Sequence, residues 1–136
     1  MKKATFLSLL LFIMVFSLNA QPITTTSPNE DDKNGPLISF EKTVHDYGTI
    51  KEGGNGVYEF KFKNTGKTPL ILTKPQSSCG CTIPEWPKEP ILPSKSSSIK
   101  VTYDTKKIGV INKEVTVYSN SKEGSVKLSI KGNVVK

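Results

Sequence analysis

Val57-Tyr58-Glu59-Phe60-Lys61-Phe62-Lys63 puts three aromatic rings on one side and three charges on the other. Successive side chains of a strand point to opposite faces, so this stretch is a half-buried strand with rings inward and charges in water. The same period returns downstream. Ser96–Asp104 turns Ile99, Val101 and Tyr103 inward; Lys113–Ser119 turns Val115 and Val117 inward. The last strand sets Val126, Leu128 and Ile130 against Lys127, Ser129 and Lys131. Upstream, Leu37–Phe40 begins a strand and Thr43–Ile50 continues extended with a kink. Thr68–Thr73 is a further strand, with Pro69 near its start, where a missing N–H does least harm. Turns separate these runs at Lys51–Gly56, Asn64–Lys67 and Asn120–Gly124, and no stretch from Leu37 onward has a helical period. About seven short strands at regular spacing predict one all-β antiparallel sandwich over residues 37–136, each sheet with one wet face.

The first 36 residues have a different character. Met1-Lys2-Lys3 is a short basic start, Phe6–Leu18 is apolar except for Ser8 and Ser17, and Asn19-Ala20 follows. These are the parts of a secretory signal, residues 1–20, with cleavage expected after Ala20. The apolar run is short of the roughly 20 residues that span a bilayer, so no stable membrane anchor is expected after cleavage. No cysteine follows it, which speaks against a lipid anchor. Residues 21–36, QPITTTSPNEDDKNGP, are polar and without period, and read as a flexible linker that carries too little apolar surface to pack. The expected location is the periplasm or the exterior.

All 19 basic residues are lysines, against 12 acids, for a net charge of +7. They are scattered singly along the strands, as on solvated faces, and no basic run is interleaved with aromatics. Nucleic acid is therefore not an expected partner.

The chemistry-bearing residues are few. Ser78-Cys79-Gly80-Cys81-Thr82 holds both cysteines. On an extended strand Cys79 and Cys81 share a face with Cα atoms about 6.6 Å apart, near the upper limit for a disulfide. Gly80 allows a closer approach. Three readings stay open: two small packing side chains, a local disulfide, or a two-thiolate Cu(I) site. A structural zinc site would need four ligands, and His45 is the only histidine. His45 and Asp46 are neighbours on a strand and face opposite ways, so they read as a histidine beside a turn-forming aspartate. Pro84, Pro87, Pro90 and Pro93 recur every third residue around Trp86. That is the period of a polyproline II helix, which either presents an apolar edge to a partner or serves as a stiff connection with Trp86 tucked over the core. Asn64-Thr65-Gly66 and Ser119-Asn120 call only for turn chemistry.

Taken in order, Asp46-Tyr47-Gly48-Thr49-Ile50, Phe62-Lys63-Asn64-Thr65-Gly66, Ser78-Cys79-Gly80-Cys81-Thr82, Ile91-Leu92-Pro93-Ser94 and Val117-Tyr118-Ser119-Asn120 resemble the bacterial DUF1573 family. The resemblance spans Ile38 to Val134. It implies an immunoglobulin-like sandwich related to ASH and major-sperm-protein domains, export, and a Bacteroidetes-type source. Such domains are generally interaction modules without catalysis, and the resemblance supplies no active site. Many relatives have Pro-Gly where this chain has Pro93-Ser94-Lys95. The expected function is an exported, non-enzymatic binding or assembly module with an unknown protein partner in the cell envelope or outside. No cofactor is expected, and the candidate contacts are an exposed strand edge, by strand addition, or the Cys-Gly-Cys and proline-rich end around Pro84, Trp86, Pro87 and Pro90. The alternative is a thiol redox or Cu(I)-handling protein acting through Cys79 and Cys81.

Overall fold

The computed structural model describes residues 34–136. The expected signal at 1–20 and the linker up to residue 33 lie outside the described residues. Eight strands follow in chain order: β1 Ile38–Phe40, β2 Val44–Lys51, β3 Val57–Asn64, β4 Gln76–Ser77, β5 Thr82–Glu85, β6 Ser96–Tyr103, β7 Gly109–Tyr118 and β8 Ser125–Val135. They form two four-stranded sheets, ordered β1-β3-β6-β5 and β2-β8-β7-β4. The period-two pattern explains the packing. Phe60, Phe62, Ile99 and Val101 from the first sheet meet Ile111, Val115, Val117, Leu128, Ile130 and Val134 from the second, all at 1% exposure or less. Close packing of such apolar side chains between two sheets is the main force holding them together.

The sandwich differs in detail from seven antiparallel strands. β2 runs parallel to β8, with Val44 opposite Ser129 and Lys51 opposite Val135 and an irregularity between Asp46 and Thr49. Gly48, at φ 65°, sits in that irregularity, where a side chain would strain the backbone. Thr68–Thr73 is not a strand. Its alternation is real, since Leu70 and Leu72 are buried, but Leu70 bridges Ile91 while Leu72 bridges Ser119. The segment is crossing between sheets, so no two consecutive pairs fall on one neighbour. Asn120 holds it instead: its Oδ1 accepts from Ile71 N at 2.8 Å and its Nδ2 donates to the Pro69 carbonyl at 3.2 Å.

Asn64 carries more than a turn. It follows Tyr58, Phe60 and Phe62 on the inward face and is fully buried at 0% exposure. Its Nδ2 donates to the carbonyls of Thr68 (2.8 Å) and Ile91 (2.9 Å). Its Oδ1 accepts from Gly66 N at 2.9 Å and Leu37 N at 3.4 Å. A neutral amide has two donors and two acceptor lone pairs, and all are used. The Asn64 backbone adds bonds to Lys95 O and from Ser94 N. Ser94 holds φ 66°, so a left-handed turn forms here with serine in place of glycine.

The chain enters β1 beside Asn64 and ends β8 beside Lys51, at opposite ends of the sandwich. Replacing Asn64 by Ala removes four hydrogen bonds at once, and among the described residues only the Ile91 carbonyl keeps another partner, Leu70 N. Asn64→Ala is expected to lower stability by about 3 kcal/mol, read as a drop in the urea midpoint with an unchanged slope. Asn64→Asp, which keeps the shape but loses both donors, is expected to fall in the same direction.

Candidate functional site

β4 belongs to the second sheet and β5 to the first, with four residues between them. Ser78 still bonds β7, through its N–H to Glu114 O at 2.9 Å. Cys79-Gly80-Cys81 then turns the chain onto the other sheet. Thr82 N donates to Cys79 O at 3.4 Å and Ser77 Oγ donates to the same carbonyl at 2.9 Å. Asp104 N closes the far side by donating to Cys81 O at 2.9 Å. Sandwich corners are made by strands that bend from sheet to sheet in this way.

The corner is pinned by a Cys79–Cys81 disulfide with Cα atoms 5.3 Å apart. That is closer than an extended strand allows, because the backbone here is a turn. Cys81 is buried and Cys79 half-buried against the core. The buried Thr82 hydroxyl lies 3.8 Å and 3.9 Å from the two sulfurs. Among the described residues no group of three or more His, Cys, Asp and Glu side chains is placed to hold a metal ion.

Beside the corner, the outer face of the first sheet has an apolar row. Val57, Thr102 and Ile83 lie side by side across β3, β6 and β5. Ile83 is 60% exposed and Val57 39%. One step along the strands the row is charged, where Lys100 pairs with Glu85 at 3.8 Å. The β2–β3 loop walls the row and leaves a groove of about 520 Å³. Its shape depends on Gly56, where a Cβ would collide with the Tyr103 carbonyl. The Gly56 carbonyl accepts from Tyr47 Oη at 2.7 Å and Tyr103 N at 2.9 Å.

The proline series separates in space. Pro84 is in the edge strand β5 opposite Val101, Ile91 dips into the core beside Leu70, and Pro90 is exposed. Trp86 is half-buried against the core, with Lys88 Nζ over its ring.

His45 and Asp46 point apart. Asp46 Oδ1 accepts from Gly48 N at 2.8 Å, while His45 turns inward and stacks on Tyr58 at 3.6 Å, edge-on to Tyr47. This ring cluster joins β2 to β3, a contact that local sequence does not announce. Burial holds the His45 imidazole below its ordinary 6.5, with Lys42 adding and Asp46 opposing. Burial also pushes the Tyr47 phenol up to about 12.

Two packed four-stranded sheets with this connectivity define an immunoglobulin-like β-sandwich domain. The particular family follows from the sequence match. Residues 38–134 fit the model for "Protein of unknown function (DUF1573)", and the chain belongs to that family. A stretch of 104 residues is 31% identical to the human Hydrocephalus-inducing protein homolog, covering 74% of this chain but only 2% of that protein. Among solved structures, a protein of unknown function from Porphyromonas gingivalis W83 superposes with a TM-score of 0.65 at 15% identity, over 75% of this chain and 48% of that one. The ASH/PapD-like domain 7 of human CEP192 superposes with a TM-score of 0.60 at 9% identity, over 81% and 92%. At these identities the two structures speak to the fold alone.

Two measurements follow. A neutral imidazole is favoured in the folded state, so His45 contributes stability above its unfolded value of 6.5 and that contribution is lost as pH falls through its lowered folded value. The urea midpoint should drop as pH falls below 6.5, and His45→Phe, which keeps a ring on Tyr58, should flatten part of that slope. Alkylation and mass spectrometry of the protein should label Cys79 and Cys81 only after reduction. Because the bond closes a very short loop, Cys79→Ala/Cys81→Ala should cost on the order of 1.5 kcal/mol and leave the fold intact.

Proposed function

We propose that this chain is an exported, non-enzymatic binding or assembly module that meets a protein partner in the periplasm or outside the cell. The observation that carries the reading is the apolar row of Val57 and Ile83, lying open beside a corner that the disulfide holds in shape. An exposed apolar surface next to a rigid turn loses little freedom on binding, which favours recognition. The connection through Pro84, Trp86, Pro87 and Pro90 continues from the same corner and extends the contact. Export is supported by the basic start, apolar run and Ala20 of the first twenty residues, and by a cysteine pair joined as it would be in an oxidising compartment.

The thiol alternative, redox or Cu(I) chemistry at Cys79 and Cys81, has the disulfide itself as its only support. A bonded pair must first be reduced, since the thiolate is the metal ligand.

A photo-crosslinking residue placed at Ile83 in producing cells should yield a discrete protein adduct, and the same residue at Glu123, at the far end, should not. The adduct should weaken in the Cys79→Ala/Cys81→Ala variant. Equal labelling from both positions, or none from Ile83, would remove the corner as a binding surface.

A further inference from the structure

The corner leaves something behind on the second sheet. β7 pairs with β8 along its whole length, Gly109–Tyr118. On its other side β4 reaches only Thr116 and Val115, and Ser78 extends that cover to Glu114. The chain then departs for the other sheet, and no described strand covers Gly109–Lys113. In an antiparallel ladder the backbone groups of alternate residues point to the same side. Glu114 directs its N–H and C=O toward Ser78, so those of Asn112 and Val110 point the same way, into open space.

Exposed edges invite pairing with another chain, and proteins guard them. The other edges here are guarded: β1 has three residues, β4 has two, β5 carries Pro84, and β2 is broken at Gly48. Gly109–Lys113 has no proline, no irregular pairing and no charge at its two outward positions. Val110 is 78% exposed and Ile108 51%. Alongside, a groove of about 470 Å³ runs from Asp46 past Lys131 to Val110 and Asn112. Gly132 keeps its floor low, since a Cβ there would meet the Gly48 carbonyl 2.9 Å away.

Charge decides the occupant. Lys131 lines this groove and Lys113 ends the open stretch, and neither is in an ion pair among the described residues. Asp46, in register with Lys131, is the one acid on the groove, while Glu114 is matched to Lys127 at 3.8 Å. A second copy would bring the same lysines against these. We propose that the Gly109–Lys113 edge of β7 accepts an extended, acidic segment of a partner protein as an added strand, its backbone bonding Val110 and Asn112 and its carboxylates meeting the lysines. This mode of recognition takes affinity from main-chain bonds and specificity from alternate side chains. The inference rests on the protein-binding reading but not on the corner.

The test uses the full mature chain and two synthetic peptides, Thr-Val-Glu-Val-Glu-Val-Thr and its counterpart with lysine for glutamate. The glutamate peptide should bind and slow amide exchange at Val110 and Asn112 by about tenfold or more, with affinity falling as salt rises. Val110→Pro, which removes an outward N–H and spares the β8 ladder, should weaken binding by about tenfold or more while the far-UV spectrum is retained. Lys113→Glu/Lys131→Glu should do the same without touching the backbone, and Lys63→Glu, an exposed charge reversal on the first sheet, should leave binding unchanged. The proposal is overturned if the lysine peptide binds as well, if neither peptide protects those amides, or if the protein protects them by self-association. An adduct at Ile83 together with a silent β7 edge would sink this inference and leave the proposed function standing.

Discussion

The side-chain amide of Asn64 sets the terms for one end of the sandwich. It is polar, wholly buried, and satisfied at every donor and acceptor position. A buried amide with a missing partner costs more than its bonds contribute when complete, so its neighbours have one acceptable arrangement. Those neighbours are the start of β1, the turn after β3, the crossing segment at Thr68 and the connection at Ile91. β1 has only three residues on β3 and the other segments have no continuous ladder, so the Asn64 amide supplies what ladder hydrogen bonds do not. The apolar core gives the two sheets their attraction, and Asn64 tells the irregular segments where to lie.

A second constraint comes from chain crossings. Two of the chain's passages from sheet to sheet, at Thr68–Thr73 and at Cys79–Cys81, leave a mark. The first is held by the asparagines at 64 and 120. The second is short, disulfide-bonded, and shapes the groove beside Val57 and Ile83. By leaving the second sheet early it also uncovers half of β7. Both proposed contact surfaces are thus products of one topological step, on opposite layers of the molecule.

The long strands were legible because each buries one face, and the alternation around Phe60, Val101, Val115 and Leu128 shows which. What stayed hidden depends on partners rather than on pattern. Parallel pairing of β2 with β8 leaves no local trace, since a parallel and an antiparallel strand can alternate alike. β4 and β5 have two and four residues, too few to show a period. Thr68–Thr73 alternates correctly and buries Leu70 and Leu72, yet local sequence cannot say that its neighbours lie on different sheets. Asn64 was within reach, as the next inward position after Tyr58, Phe60 and Phe62, but an Asn-Thr-Gly string reads first as a turn. The cysteine spacing fitted three readings because the deciding fact, a turn at Gly80, is a property of the corner. The motif order, by contrast, was enough to place the chain in its family.

The parallel pairing of β2 and β8 also bears on how the domain meets force. Its chain enters at one end of the sandwich and leaves at the other, so tension on the two ends pulls along the strands rather than across them. β8 lies between β2 and β7, and sliding it would load hydrogen bonds on both sides together instead of opening them one by one. β1, with three residues against β3, has far less to hold it. Under tension the first element to yield is therefore the short leading strand, which pays out Ile38–Phe40 while the core remains shut.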